Sequence, residues 1–168
     1  MSNYDRDELI EEIGRGLMRL QSAVDDVDEA AAEYLGVNRT DLRCLGLVVT
    51  RGPMTAGELA EATRLTAGAL TTALDRLERA GYARRVRDLA DRRRVLVEPT
   101  DNFPAVAEEI WGETGKEMVD VLLGYSTDEL VTAKNFVEQV VGLHVRHTAL
   151  ILEKKRKATG KPEADVRG

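Results

Sequence analysis

The stretch "MTAGELAEATRLTAGALTTALDRLERAGYARRVRDLADRRRVLVEPT", residues 54–100, decides the fold. It opens on Thr55 with Glu58 three residues later. That is the spacing of a capping box, in which hydroxyl and carboxylate satisfy backbone N–H groups at a helix start. Leu59, Ala60 and Ala62 follow, so a short helix begins here. After "TRL", Thr66 caps a second helix. Its Leu70, Ala73, Leu74 and Leu77 recur at helical spacing and form one apolar face, with Thr71, Thr72, Asp75, Arg76 and Arg79 off it. Gly81 is a natural stop. The pattern then changes period. Arg84–Arg87 and Arg94–Val97 each suit a short strand, with Val86, Val95 and Val97 as β-branched residues. "DLADR" between them is the hairpin tip, Asp88 and Asp91 form the turn, and Pro99 ends the second strand.

The flanks are helical. A long helix is expected over 5–35, because Ile10, Ile13, Leu17, Leu20, Val24, Val27, Ala31 and Tyr34 repeat every three or four residues. Such a seam packs along another helix. Gly36 stops it, and a second helix runs from Asp41 to about Arg51 with Leu42, Leu45, Val48 and Val49 inward, broken by "RGP". Downstream, a helix starts near Asp101–Pro104 and reaches about Gly124, weakened in the middle by Gly112 and Gly115. Ser126 and Glu129 make another capping box, opening a last helix whose seam is Leu130, Ala133, Val137, Val140, His144, His147 and Ile151. The charged end, 153–168, reads as a disordered tail.

Charge is unevenly placed. The chain of 168 residues carries a formal charge of −6, yet residues 76–94 hold eight arginines against three carboxylates. Residues 1–40 hold ten acidic and four basic side chains. An acidic chain with one basic block offers a phosphate footprint only where the block lies. With a single cysteine, Cys44, no intrachain disulfide forms. No apolar run is long enough to span a bilayer, and the acidic start does not read as a signal peptide, so a cytoplasmic protein without membrane association is expected.

Two short helices, a tight turn and a hairpin make a winged helix-turn-helix. A helix enters the major groove by its N-terminal residues, and arginine at a hairpin tip suits the minor groove. Thr66, Ala67, Gly68, Thr71 and Thr72 are therefore candidate DNA contacts, with small residues letting the backbone come close; Thr55, Arg76, Arg84 and Arg87 join them. Residues 54–100 resemble the DNA-binding core of the MarR family of transcriptional regulators, most specifically in the wing "DLADRRRVLVEPT" and in "LDRLERAGYARR". Pro99 departs from the leucine the family pattern has before that threonine.

The resemblance implies a mostly α-helical chain of six helices with a two-stranded β-wing. It implies a homodimer whose helical region is 1–36 and 126–152, a DNA-binding lobe over 37–100 and a connecting helix over 101–125. It implies binding to a pseudo-palindromic site in double-stranded DNA, as a repressor or activator, and release by a small aromatic or phenolic effector. Asp91 would orient Arg93, with Arg92 and Arg93 at the minor groove. Ile10, Ile13, Leu17, Val137, Val140, His144 and Ile151 would serve the dimer. By residue type, Tyr34, Trp111, Phe103 and Phe136 could wall a ligand pocket where the first and fifth helices meet the lobe, with ordinary core packing as the alternative for each.

Other chemistry finds little support. His144 and His147 share a helix face, but no further ligand sits near them in sequence, and a metal site needs three or four. They are read as interface residues or a source of pH sensitivity. Cys44 lies among Leu42, Leu45 and Val48 and is read as core. "GETGK", residues 112–116, lacks the spacing of a phosphate loop. No catalytic motif is present, so neither an enzyme nor a cofactor is expected. The competing reading is a winged-helix protein-interaction module with no DNA target, which would present apolar anchors at its contact surface.

Overall fold

The computed structural model describes residues 5–158. Helix α1 spans Arg6–Tyr34, with Asp7 and Glu8 complementing the positive end of its dipole. It stops where Leu35 and Val37 donate back to Ala31 and Ala32 and Gly36 takes φ 66°, a conformation that favours glycine. Helix α2, Arg39–Arg51, starts two residues before the expected Asp41. Asn38 is its cap: Oδ1 accepts from the Asp41 N–H at 2.9 Å, and the Asp41 carboxylate accepts from the Asn38 N–H at 3.2 Å.

Strand β1 is Met54–Thr55, and α3 is Ala56–Thr63, capped by Thr55 and Glu58 as expected. Arg64 takes the left-handed conformation at φ 61° and turns the chain into α4, Ala67–Arg79, capped by Thr66. Strands β2, Ala83–Arg87, and β3, Val95–Pro99, follow. The sheet order is β1-β3-β2, all antiparallel, with Val86 opposite Leu96 and Met54 opposite Val97. Strands β2 and β3 form the expected hairpin, and β1 adds a third strand to its sheet. Strand β3 begins at Val95, not Arg94, because the Arg94 carbonyl accepts from the Asp88 N–H at 3.1 Å and closes the tip.

The core joins Cys44, Leu45 and Val48 of α2, Leu59 of α3, Leu70, Ala73, Leu74 and Leu77 of α4, Ala83 and Val97 of the sheet, and Phe103. Phe103 opens helix α5, Phe103–Leu123, and meets Tyr82 edge to face at 6.1 Å. A second cluster packs Ala31, Ala32, Leu35 and Leu42 with Val106, Ile110 and Trp111. The chain divides into two compact units between Gly112 and Glu113.

In the second unit, α6 spans Thr127–Ala158 behind the expected Ser126–Glu129 box. The tail expectation is corrected in part, because residues 153–158 are helical. Lys157 pairs with Glu153 there, and the basic last turn suits the negative helix end. Residues 159–168 lie outside the described residues. No residue of α6 is buried, and Val137, His144 and Ile151 are exposed. Ile10 and Ile13 of α1 are exposed and Leu17 half-buried, while Ala31 on the same seam is buried.

Candidate nucleic-acid interface

The apolar face of α4 is fully buried, so its other face is fixed toward solvent. That face begins with Thr66, Ala67, Gly68, Ala69, Thr71 and Thr72, all exposed. Thr71 and Thr72 donate to the Ala67 and Gly68 carbonyls at 2.9 and 3.0 Å. Thr66 Oγ1 accepts from the Ala69 N–H at 3.3 Å. The result is a shallow helix end with aligned N–H groups and no long side chain over its first turn and a half. Thr55 differs: its hydroxyl donates to Glu58 at 2.8 Å and accepts from the Glu58 N–H at 3.2 Å, so it closes the start of α3.

The arginines of the basic block divide sharply. Arg76 is turned inward: its Nε and Nη2 donate to the two oxygens of Asp41, both at 2.7 Å, and Asp41 is 0% exposed. The Asp41 bonds hold the Arg76 guanidinium protonated above its ordinary range. Arg76 thus ties α4 to α2, and the expectation that it contacts DNA is revised. Arg84 donates to Asp101 at 2.9 and 3.1 Å and to Glu98 at 2.8 Å, which raises its pKa and lowers that of Asp101. Its charge is balanced by these two carboxylates, while its side chain stays 43% exposed. Arg85 is paired with Asp75 and Glu78, and Arg94 reaches Glu58 at 3.3 Å.

What remains charged and outward is narrower than the sequence implies. Arg87 and Arg92 are exposed and make no ion pair among the described residues. Asp91 Oδ1 accepts from the Arg93 backbone N–H at 3.1 Å and from its Nε at 3.3 Å, while the Arg93 side chain is 93% exposed. Arg64 and Arg79, which the sequence reading did not single out as contacts, are also exposed near the two ends of α4. Arg64 is recognisable only once the turn before α4 is built.

A cleft of about 660 Å³ lies within the first unit. Leu42, Leu45, Val49, Phe103 and Trp111 line it, with Arg39 and Arg43 as cations. Trp111 is where a pocket residue was expected. Tyr34 is not: it is 62% exposed, is absent from the lining, and donates its hydroxyl to Glu109 at 2.5 Å, which raises its pKa. The α2 residues of the cleft were missed because a helical core stripe and a cleft wall look alike in sequence.

Cys44 is buried, and burial pushes its thiol up, as suits a core residue. His144 Nδ1 lies 2.8 Å from the Val140 carbonyl. Among the described residues no group of His, Cys, Asp and Glu is placed to hold a metal, and no helix is long and apolar enough to cross a membrane.

Known proteins share this plan. The MarR family model matches residues 35–94, from the end of α1 to the wing tip just before β3. The uncharacterized HTH-type transcriptional regulator YcgE of Bacillus subtilis is 38% identical over 109 residues, 65% of this chain and 71% of the relative. A MarR family protein from Bacillus stearothermophilus superposes with a TM-score of 0.58 at 21% identity, covering 86% of this chain and 99% of that one. The apo form of MarR from E. coli gives 0.52 at 24%, covering 76% and 95%. At those identities the two structures speak for the fold alone, whereas the match to the family model and to YcgE is one of sequence. The winged lobe and the sequence that builds it place this chain in the MarR family of transcriptional regulators.

Proposed function

We propose that the protein is a cytoplasmic, sequence-specific regulator that binds a pseudo-palindromic site in double-stranded DNA as a homodimer. The observation that carries this reading is the sorting of the arginines. Arg76, Arg84, Arg85 and Arg94 are engaged by carboxylates, whereas on the wing Arg87 and Arg92 make no ion pair among the described residues and Arg93, held by Asp91 at its Nε, keeps its side chain 93% exposed. A merely solvated hairpin has no reason to separate its cations this way. In this arrangement Thr66–Thr72 enter the major groove, the wing arginines enter the minor groove, and two copies set the α4 helices roughly 34 Å apart.

The protein acts as a repressor. A small aromatic or phenolic effector enters the cleft beside Trp111 and favours a shape with the wrong helix spacing. The test is fluorescence anisotropy with a duplex from upstream of the protein's own gene against a scrambled duplex, at two salt concentrations, alongside a genome-wide selection. Site-selective binding that falls with salt is expected. In the Arg92→Ala, Arg93→Ala double variant the slope of log affinity on log salt should shrink by about one per lost phosphate contact. Equal binding of both duplexes, an empty genome-wide selection and a variant indistinguishable from the parent would reject the reading.

A further inference from the structure

We propose that Leu89, at the tip of the wing, is a DNA-contacting residue that packs against the sugar walls of an A·T-rich minor groove. The inference rests on the DNA-binding reading above.

Leu89 is 100% exposed. Most other exposed large apolar side chains lie on α1, α5 and α6, where they recur at helical spacing and ask for a helical cover. Leu89 belongs to no such stripe. It stands at the wing tip, with the half-exposed Val95 of β3 the nearest other exposed large apolar residue in sequence. Asp88 Oδ1 accepts from the Ala90 and Asp91 N–H groups at 2.8 and 3.4 Å, the Asp88 N–H donates to Arg94, and the Arg94 N–H donates to Asp91 at 2.8 Å. These bonds close the tip, with Leu89 fully exposed on it.

Its surroundings name the partner. Arg87, Arg92 and Arg93 flank the tip. Cations on both sides of an apolar point match two rows of phosphates with a groove between them. The minor groove is roughly 6 Å wide, and its walls are the apolar faces of deoxyribose. The small Ala90 beside Leu89 keeps the tip narrow enough to enter. Apolar side chains inserted in the minor groove are an established mode of DNA contact. The floor of the groove carries an amino group at each guanine, which would obstruct a leucine, so Leu89 favours A·T pairs beneath the wing.

The probe is the tightest duplex that the full-length parent protein selects from a randomised pool, with the wing position mapped by hydroxyl-radical footprinting. Pairs beneath the wing are then changed to G·C or to inosine·cytosine, which lacks the amino group. Leu89→Ser should bind about tenfold more weakly, the scale of one leucine withheld from burial. Its salt slope should equal the parent's, because no cation is removed. The parent should prefer A·T and inosine·cytosine over G·C, and Leu89→Ser should lose that preference. Leu89→Met should stay within about twofold of the parent. Parent-like affinity and preference in Leu89→Ser, with unchanged circular dichroism, would overturn the proposal. So would weaker binding with the preference intact. If the parent selects no duplex, the DNA-binding reading fails and the role of Leu89 falls with it.

Discussion

Helix α4 and helix α6 solve the same problem in opposite ways. The 13 residues of α4 bury Leu70, Ala73, Leu74 and Leu77 within the chain, and its one inward arginine meets a carboxylate. The 32 residues of α6 bury nothing, although Val137, Val141, Val145 and Ile151 lie along it. The winged lobe is satisfied by its own contacts, whereas α6 and, separately, the first half of α1 each present exposed apolar side chains. Exposed apolar faces on this scale mark interaction sites more often than free surface.

The largest expected effect comes from setting a charge on each of those two exposed apolar faces. If α6 and α1 form the homodimer, Val137→Asp together with Ile13→Asp places carboxylates in a buried interface at a cost of several kcal/mol. The dimer dissociation constant should then rise roughly a thousandfold or more. Sedimentation velocity over a dilution series reads this directly. A chain that is monomeric in both forms would remove the contrast between the two helices, and with it the dimer. Within the lobe, Leu45→Ala serves as the counterweight: about 2–5 kcal/mol lost whatever the oligomeric state.

Next comes the link between α2 and α4. Arg76→Ala leaves Asp41 buried with only its capping bond, and breaking a buried pair by removing one partner costs about 3–5 kcal/mol. Because Arg76 is partly exposed, the lower end is expected. Urea denaturation gives the stability. Anisotropy at a temperature where the variant is still folded then tells whether DNA binding also falls, as it should if Arg76 positions α4. An Arg76→Lys variant keeps the charge but loses the two-point geometry, so it should recover part of the stability and less of the binding. Equal stability in all three would mean that the pair is incidental.

How much of this is legible in the sequence depends on the range of the interaction. Thr55 with Glu58, Thr66, and Ser126 with Glu129 are short-range devices, and each caps where its spacing predicts. The buried face of α4 follows from periodicity alone. The fate of the arginines does not. Asp41 lies 35 residues from Arg76, and Asp101 lies 17 from Arg84, so a run that reads as uniformly basic is divided only by tertiary contact. Strand β1 is two residues long and pairs with a strand some forty residues onward, too short to carry an alternation of its own. The cleft was half visible. Trp111 is distinctive by type, but the α2 wall is a core stripe by pattern, and Tyr34 is turned away by its bond to Glu109.

A smaller effect probes the lobe's local bonds. Thr55→Ala removes the cap of α3 at a cost of about 1 kcal/mol. Its partner Glu58 is held below its ordinary pKa of 4.5, chiefly by the backbone N–H and hydroxyl of Thr55 and also by Arg94. A depressed carboxylate contributes stability that is present above its unfolded value and lost as pH falls through the folded one. The Glu58→Gln variant should therefore be less stable than the parent at neutral pH, and the gap should close below about pH 4.5. A gap that stays constant across that window in thermal melts would mean that the charge of Glu58 plays no part.

The smallest effect on stability should separate folding from binding most cleanly. A Cβ added at Gly68 would meet nothing within 4 Å, and its backbone is ordinary helix. No contact inside the chain requires glycine there. Gly68→Ala should accordingly stabilise the lobe, by about 0.5 kcal/mol, through loss of freedom in the unfolded chain. If Gly68 lets the start of α4 approach the duplex, the same methyl group should weaken site-selective DNA binding while melting temperature rises. Opposite signs in the two measurements cannot come from damage to the fold. A rise in both, or a rise in stability with binding unchanged, would mean that the first turn of α4 stands off the DNA, and Thr71, Thr72 and the wing would then carry the recognition.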